Sequence, residues 1–128
     1  MKDYYSITEL TREFDISTRT IRFYEDEGLI DPIRRGRTRL FKPSDRRLLM
    51  FILRGKRLGF SIAEIREIMQ MYKEPPGEHG QLKLLIQRVS EKRGVLMQKR
   101  KDIDETVAEL DQVEEQSLAR LAELGVGT

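Results

Sequence analysis

Residues 16–25 read ISTRTIRFYE, and this stretch decides how the rest of the chain is interpreted. On a helix, Ile21 and Tyr24 fall on one face, three residues apart. The opposite side carries Thr18, Arg19 and Arg22. The pattern predicts a short helix that is anchored on one face and cationic on the other. Such a helix suits a DNA groove, because guanidinium groups pair with phosphates and with guanine edges. An ordinary amphipathic helix with solvated arginines fits this stretch as well.

A second short helix is predicted just before this one. Ser6 and Glu9 have the spacing of a capping box, which indicates a helix that runs to about Phe14. Ser17 is expected to begin the next helix, because its hydroxyl can accept a hydrogen bond from a backbone N–H of the first turn. Residues 15–16 then form a tight connection. Two short helices joined in this way, with the second one cationic, make the helix-turn-helix pattern.

A short β-hairpin that carries several arginines is predicted next. The β-compatible residues Ile33, Leu40 and Phe41 flank a tip that contains Gly36. Around this tip lie Arg34, Arg35, Arg37 and Arg39. Beside a helix-turn-helix, such a hairpin is a wing, which lies on the phosphate backbone or reaches into the minor groove. The alternative is a basic loop that is merely solvated.

Positive charge is concentrated in one part of the sequence. The net charge of the 128 residues is only +2, yet residues 34–57 hold ten cations and one anion. A basic block on an otherwise balanced chain favours a polyanionic partner. Nucleic acid fits better than an anionic membrane surface, because no apolar helix face accompanies the block.

The residue types present argue against several other functions. With no cysteine and one histidine, the chain cannot build a thiolate or multi-histidine metal site by itself. The absence of cysteine fits a reducing cytoplasm. No apolar run has the length of a membrane span, and residues 1–11 do not have the pattern of a signal peptide. No catalytic constellation is recognisable, so we expect neither an enzyme nor a bound cofactor.

Two further helices and a break are predicted after the hairpin. Ser44 is expected to cap the third helix, whose apolar face extends to Leu58. A second capping box at Ser61 begins the fourth helix, which is expected to run to about Tyr72 and to bury that ring. Residues 74–77, EPPG, interrupt the chain.

A long helix is predicted over residues 81–124. Apolar residues recur at every seventh position, at Leu82, Val89, Leu96, Ile103 and Leu110. A heptad repeat of this kind predicts a coiled coil, because a lone helix exposing such a stripe needs a partner. A homodimer is the main interpretation, and packing of the helix back onto the chain's own domain is the alternative.

The predicted fold is therefore mainly α. A winged helix-turn-helix DNA-binding domain covers residues 1–74, a hinge covers 75–80, a long dimerisation coiled-coil helix covers 81–124, and 125–128 form a tail.

Between residues 5 and 72 the sequence resembles the MerR family of bacterial transcription regulators. The matching segments are TIRFYE at 20–25, GLI at 28–30, RLF at 39–41, RLGFS at 57–61 and EI at 64–65. Residues 52–61 are also similar to the LiuR-type branch, which controls leucine and isovalerate catabolism. That likeness implies an acyl-CoA or a branched-chain acid as effector.

The family resemblance implies a symmetric homodimer, joined by antiparallel long helices, that binds an inverted repeat in double-stranded DNA. In the family this repeat lies in an overlong promoter spacer, and the effector-bound dimer distorts the DNA so that RNA polymerase, an indirect partner, can use the promoter. The implied DNA contacts are Arg19, Arg22 and Tyr24 on the recognition helix and Arg35 and Arg39 on the wing, with Thr18, Arg34 and Arg37 beside them.

The kind of effector is suggested by a departure from the family pattern. Metal sensors of the family carry cysteines at the start of the long helix and in a loop after it, and this chain has none. A small organic molecule, held between the long helix and the partner's fourth helix, is therefore expected, or no effector at all. Two other functions stay open at this point: a non-specific architectural DNA-binding protein and a coiled-coil adaptor.

Overall fold

The computed structural model describes residues 2–73 and 75–125. Its contacts divide the chain into two units, 1–81 and 82–128, which we call the N-terminal unit and the long-helix unit. The elements in chain order are α1 (Ile7–Phe14), α2 (Thr18–Asp26), β1 (Ile33–Arg35), β2 (Thr38–Leu40), α3 (Pro43–Arg57), α4 (Ile62–Lys73) and α5 (Glu78–Glu123). The predicted fold class, mainly helical with a winged helix-turn-helix and a long following helix, is confirmed.

The first two helices begin where their capping residues predict. Ser6 and Glu9 form a reciprocal capping box, in which each backbone N–H donates to the other side chain at 3.0 Å. The Ser17 hydroxyl accepts the N–H of Thr20 at 3.1 Å and caps α2. Between the helices Asp15 adopts a left-handed conformation, with φ of 53°, which Asp tolerates better than most residues. The turn is therefore as tight as the helix-turn-helix pattern requires.

The hairpin forms with a register that separates its arginines. Arg34 pairs with Arg39, and Arg35 pairs with Thr38, across the antiparallel strands. Gly36, with φ of 62°, occupies the first position of the two-residue turn, where a type II′ turn needs a positive φ. Because successive strand residues alternate between faces, Arg34 and Arg39 lie on one face of the hairpin and Arg35 on the other.

Helix α3 begins differently from the prediction. Ser44 is not its N-cap, because Pro43 already occupies the first helical position and Lys42 precedes it as the cap. The N–H of Lys42 donates to the Asp45 carboxylate at 2.9 Å, and Asp45 is buried. The Asp45 carboxylate, three residues after the cap, thus accepts a backbone N–H at the start of the helix, where the sequence predicts the Ser44 hydroxyl as the capping group.

The core of the N-terminal unit joins all four of its short helices to the strand end. Its most buried side chains are Phe41, Leu10, Ile21, Leu49, Ile52, Ile65 and Ile68. Helix α4 begins with the predicted capping box, in which Ser61 and Glu64 exchange hydrogen bonds of 3.0 and 3.1 Å. Leu58, predicted on the apolar face of α3, and Tyr72, predicted to be buried, are both exposed. Leu58 follows the last residue of α3 and Tyr72 lies in the last turn of α4, so neither belongs to the middle turns that pack in the core.

Helix α5 starts at Glu78, so three residues that the sequence suggested for the hinge are helical. Gly80 lies in the first turn and is buried; a Cβ there would stand 3.0 Å from Cγ of Pro76. This glycine therefore permits a close approach between the first turn of α5 and the preceding Pro76, whereas the sequence predicts a hinge here. Of the predicted tail, 125–128, only Gly125 lies within the described residues.

Candidate nucleic-acid interface

Helix α2 presents its cationic side to solvent because its other side is buried. Ile21 is fully buried, and Tyr24 is 5% exposed. Arg19 and Arg22 are exposed on the opposite side, and Thr18 in the first turn is half-buried. Both predicted arginines of this recognition helix are therefore accessible to a large polyanion.

Two ion pairs link the helix-turn-helix to the helices that follow it. Arg46 of α3 donates from Nε to Glu13 of α1 at 2.9 Å, and its guanidinium lies 5.9 Å from the centre of the Phe14 ring. Arg66 of α4 donates from Nη2 to the backbone oxygen and to the carboxylate of Glu27, both at 2.8 Å. These part-exposed contacts connect α1 to α3 and the C-terminal end of α2 to α4, and no sequence pattern predicted either of them.

The wing is tied to the recognition helix by one carboxylate. Glu25, in the last turn of α2, accepts Nε of Arg39 on Oε1 and Nη2 of Arg34 on Oε2, each at 2.7 Å. The Glu25 side chain is 13% exposed, that of Arg39 is 20% exposed and that of Arg34 is 60% exposed. We call Arg34 and Arg39 the clamped pair. Such short charge-assisted hydrogen bonds are stronger than neutral ones.

The other two wing arginines are placed differently. Arg35 points to the opposite face of the hairpin, and Arg37 lies in the turn; both are exposed. We call them the exposed pair. The four predicted wing contacts thus fall into two groups, one engaged within the N-terminal unit and one facing solvent.

Glu25 is a functional candidate that no sequence pattern predicted. The signal available was its position, three residues after Arg22 and therefore on the same helical face, followed by an arginine-rich hairpin. The pairing itself joins residues 9 and 14 positions apart, so only the fold reveals it.

Burial and ion pairing change the titration of three groups at this surface. Burial raises the pKa of Tyr24, which keeps its hydroxyl protonated and able to donate a hydrogen bond. Burial also acts to raise the pKa of Glu25, but the hydrogen bonds from Arg34 and Arg39 outweigh it, so this pKa lies below its ordinary value. The hydrogen bond from Arg46 likewise lowers the pKa of Glu13.

The residues predicted to form a dimer interface all lie on α5. Leu82, Leu96, Ile103 and Leu110 are exposed, the last to 62%, and Val89 is half-buried. We call these five residues the heptad stripe. Within the described part of the chain they are a large apolar surface that faces water.

Among residues 2–73 and 75–125, no three His, Cys, Asp or Glu side chains cluster closely enough to hold a metal ion. No helix in the same ranges has both the length and the apolar character that a bilayer-spanning segment needs.

A cationic recognition helix beside a basic wing defines a DNA-binding protein of the winged helix-turn-helix class. The family model described as MerR HTH family regulatory protein matches residues 5–72, and the model described as MerR, DNA binding matches residues 46–123. The chain belongs to the MerR family and is a DNA-binding transcriptional regulator.

Individual proteins support this assignment along most of the chain. The HTH-type transcriptional regulator ZntR of Escherichia coli K12 is 31% identical over 126 residues, which span 97% of this chain and 82% of ZntR. A MerR family transcriptional regulator from Listeria monocytogenes has a similar structure, with a TM-score of 0.71, 26% identity and 94% coverage of each chain. PbrR691 of Ralstonia metallidurans CH34, solved in complex with lead(II), gives a TM-score of 0.65 and 25% identity, covering 84% of this chain and 86% of its own.

These relatives are regulators, which confirms the expectation that the chain is not an enzyme. The family assignment also argues against a coiled-coil adaptor that binds no DNA. Neither the effector nor the LiuR-type branch is specified by these similarities.

Acid should weaken the clamp between the recognition helix and the wing. Because the folded state lowers the pKa of Glu25 below the ordinary 4.5, the clamp contributes stability above that pH and loses it as the pH falls through the folded-state pKa. We expect the urea midpoint of unfolding to fall between about pH 5 and about pH 3, and Glu25→Gln to remove part of that fall. Asp26→Asn, at the exposed neighbouring residue, is the matched control for a lost charge. An acid dependence of Glu25→Gln equal to that of the wild type would contradict the assigned clamp.

Proposed function

We propose that the chain acts in the cytoplasm as a symmetric homodimer that binds an inverted repeat in promoter DNA and regulates transcription by distorting that DNA. The observation that supports a dimer is the heptad stripe of α5, which is mostly exposed. The two halves of the same helix also carry opposite charge. DNA binding itself follows from the family. RNA polymerase at the promoter is an indirect partner in this proposal.

The proposed DNA contacts come from two elements. Arg19 and Arg22 are exposed on α2 and have the geometry to pair with phosphates or guanine edges. Tyr24 would donate its hydroxyl to a phosphate from the edge of the core. The wing would contribute its exposed pair, Arg35 and Arg37, and its clamped pair, Arg34 and Arg39, while Thr18 would stand beside them at the start of the recognition helix.

Charge on α5 favours an antiparallel partner helix. Residues 83–101 carry seven cations and one anion, and residues 102–123 carry one cation and eight anions. In a parallel pair like charges would lie side by side, which costs free energy, whereas an antiparallel pair places each basic half against an acidic half. The heptad stripe supplies the apolar contact, and the charges choose the direction.

The position at which the charge changes sign also indicates how the residues of the two helices align. The sign changes between Lys101 and Asp102, so an antiparallel pair that crosses there aligns the oppositely charged halves along their whole length. This crossing point places Leu82 opposite Leu121 of the partner subunit. Both ends of the pair then have a leucine to bury.

Cross-linking can test this register, because the sequence has no cysteine and each replacement introduces the only thiol. We expect Leu82→Cys and Leu121→Cys, each alone, to give little covalent dimer with a short bis-maleimide. An equimolar mixture of the two variants, unfolded and refolded together, should cross-link readily. Efficient cross-linking of Leu82→Cys with itself would indicate a parallel pair and contradict the proposal.

Selection of binding sites from a random pool of duplex DNA tests the function most broadly. We expect an enriched inverted repeat. Arg22→Ala should weaken binding to that repeat by about 1–3 kcal/mol, the usual cost of one bidentate base contact, and weaken binding to random duplex less. A pool without enrichment would favour a non-specific architectural protein. An equal loss on both DNAs would mean that Arg22 contacts only the backbone.

We also propose a small organic effector, in keeping with the LiuR-type resemblance of residues 52–61. PbrR691 was solved with lead(II), whereas this sequence has no cysteine to supply the thiolate ligands that soft metal ions favour. The resemblance implies a site between the long helix and the partner's fourth helix, and we propose instead a cavity of about 170 Å³ within the N-terminal unit, which is lined mainly by apolar side chains, with Lys73 at its wall. Its size suits a branched acyl group, and the ammonium could pair with a carboxylate.

Thermal unfolding can test this effector class. Isovalerate should raise the unfolding temperature of the wild type, because a ligand that binds only the folded state stabilises it, and Lys73→Gln should lose most of that rise. Acetate, which has the same charge without the branched chain, is the control. If isovalerate and isovaleryl-CoA shift neither the unfolding temperature nor DNA affinity, the organic-acid effector is wrong.

A further inference from the structure

Glu25 is an acidic group placed inside a basic surface. It follows Arg22 by three residues on α2, so both side chains lie on the same helical face. Arg34 and Arg39 meet that face from the wing. A carboxylate in this position repels phosphate in DNA of any sequence, so it lowers the non-specific affinity of the surface. A role other than attraction to DNA is therefore needed to explain it.

The geometry indicates that this role is to position the wing. The two carboxylate oxygens of Glu25 each accept one hydrogen bond of 2.7 Å, one from each strand of the hairpin. The hairpin has two strands of three residues, too short to be stable alone. Its base is held where Phe41 exchanges two backbone hydrogen bonds with Tyr5, at 2.8 and 2.9 Å, and Glu25 adds the two bonds that reach the strands themselves. Within the described residues, these two bonds are the hydrogen bonds that join the recognition helix to the wing.

The hydrogen bonds to Glu25 also give the four wing arginines two different roles. They direct the guanidinium groups of Arg34 and Arg39 toward α2 and offset part of their charge. Arg35 and Arg37 keep their full charge toward solvent. The wing would therefore approach DNA in a fixed orientation relative to Arg22. Its four arginines would not adjust independently to the nearest phosphates.

We propose that Glu25 is a positioning residue that determines sequence specificity. By holding the wing at a fixed distance from the base-reading side of α2, it lets both elements bind together only on DNA whose groove and phosphates have the matching spacing. This inference rests on the proposed binding of an inverted repeat, and it adds a residue that itself touches no DNA.

The test compares Glu25→Gln with Glu27→Gln in the full-length chain. Both variants remove one negative charge near the end of α2, but Glu27 pairs with Arg66 of α4 and does not reach the wing. Affinity is measured for the selected repeat and for random duplex of equal length, at several salt concentrations. We expect Glu25→Gln to bind random duplex about three- to tenfold more tightly, with a steeper salt dependence, and to lose about tenfold or more in the ratio of specific to non-specific affinity.

A second variant separates position from charge. Glu25→Asp keeps the negative charge but is one methylene shorter, so it cannot hold both guanidinium groups as Glu25 does. We expect it to lose specificity without the steeper salt dependence. Thermal unfolding of each variant accompanies the binding measurements. If Glu25→Gln does not fold, Glu25→Asp carries the test, and failure of both to fold would overturn the inference, because Glu25 would then be a stabilising residue of the fold.

The remaining outcomes separate this inference from the proposed function. A specificity ratio for Glu25→Gln within twofold of that for Glu27→Gln would overturn the positioning role. If instead the wild-type protein prefers no sequence, the proposed function fails and the inference that rests on it fails with it. A wild type that discriminates, with a Glu25→Gln variant that discriminates equally, rejects the inference alone.

Discussion

The constraint on which the molecule depends is that the apolar stripe of α5 has to be removed from water. Side chains such as Ile103 and Leu110 expose more than half of their surface, and they recur along a helix of 46 residues. Burying them against another helix is favourable by about 25 cal/mol per Å² of apolar area, and an isolated helix of this composition gains nothing comparable from solvent. In our proposal a second copy of α5 buries this stripe. The opposite charges of the two halves favour an antiparallel orientation of the two helices.

A dimer of this kind would select DNA sequences more strictly than one small DNA-binding unit can alone. The N-terminal unit has a compact core and a recognition helix with two exposed arginines, a modest basis for selecting one DNA sequence. Two copies related by symmetry would read two half-sites, and the spacing of the half-sites would become part of the specificity. The Glu25 clamp fits this picture, because precise spacing between half-sites is of little use if the wing moves freely relative to Arg22.

Local signals in the sequence predicted the elements, whereas tertiary contacts decided the details that it missed. Ser17 and the Ser6–Glu9 and Ser61–Glu64 boxes act within one helical turn, so their effect can be predicted without the fold. The prediction of Ser44 as the cap of α3 is wrong, because the helix begins after Lys42, whose N–H donates to the buried carboxylate of Asp45. The clamp between Glu25, Arg34 and Arg39 depends on the hairpin folding back onto α2, and no local pattern encodes that contact. All eight predicted DNA-contact residues lie in the N-terminal unit, but their division into clamped and exposed arginines required the structure.

The central claim is that two chains act as one DNA-reading unit, and sedimentation velocity tests it most directly. The chain alone should sediment with twice the 15.1 kDa of a single copy. A duplex that contains the selected inverted repeat should take up two chains in one step, with no complex of intermediate mass as protein is added. A monomer in solution, or one chain binding each half-site independently, would contradict the account.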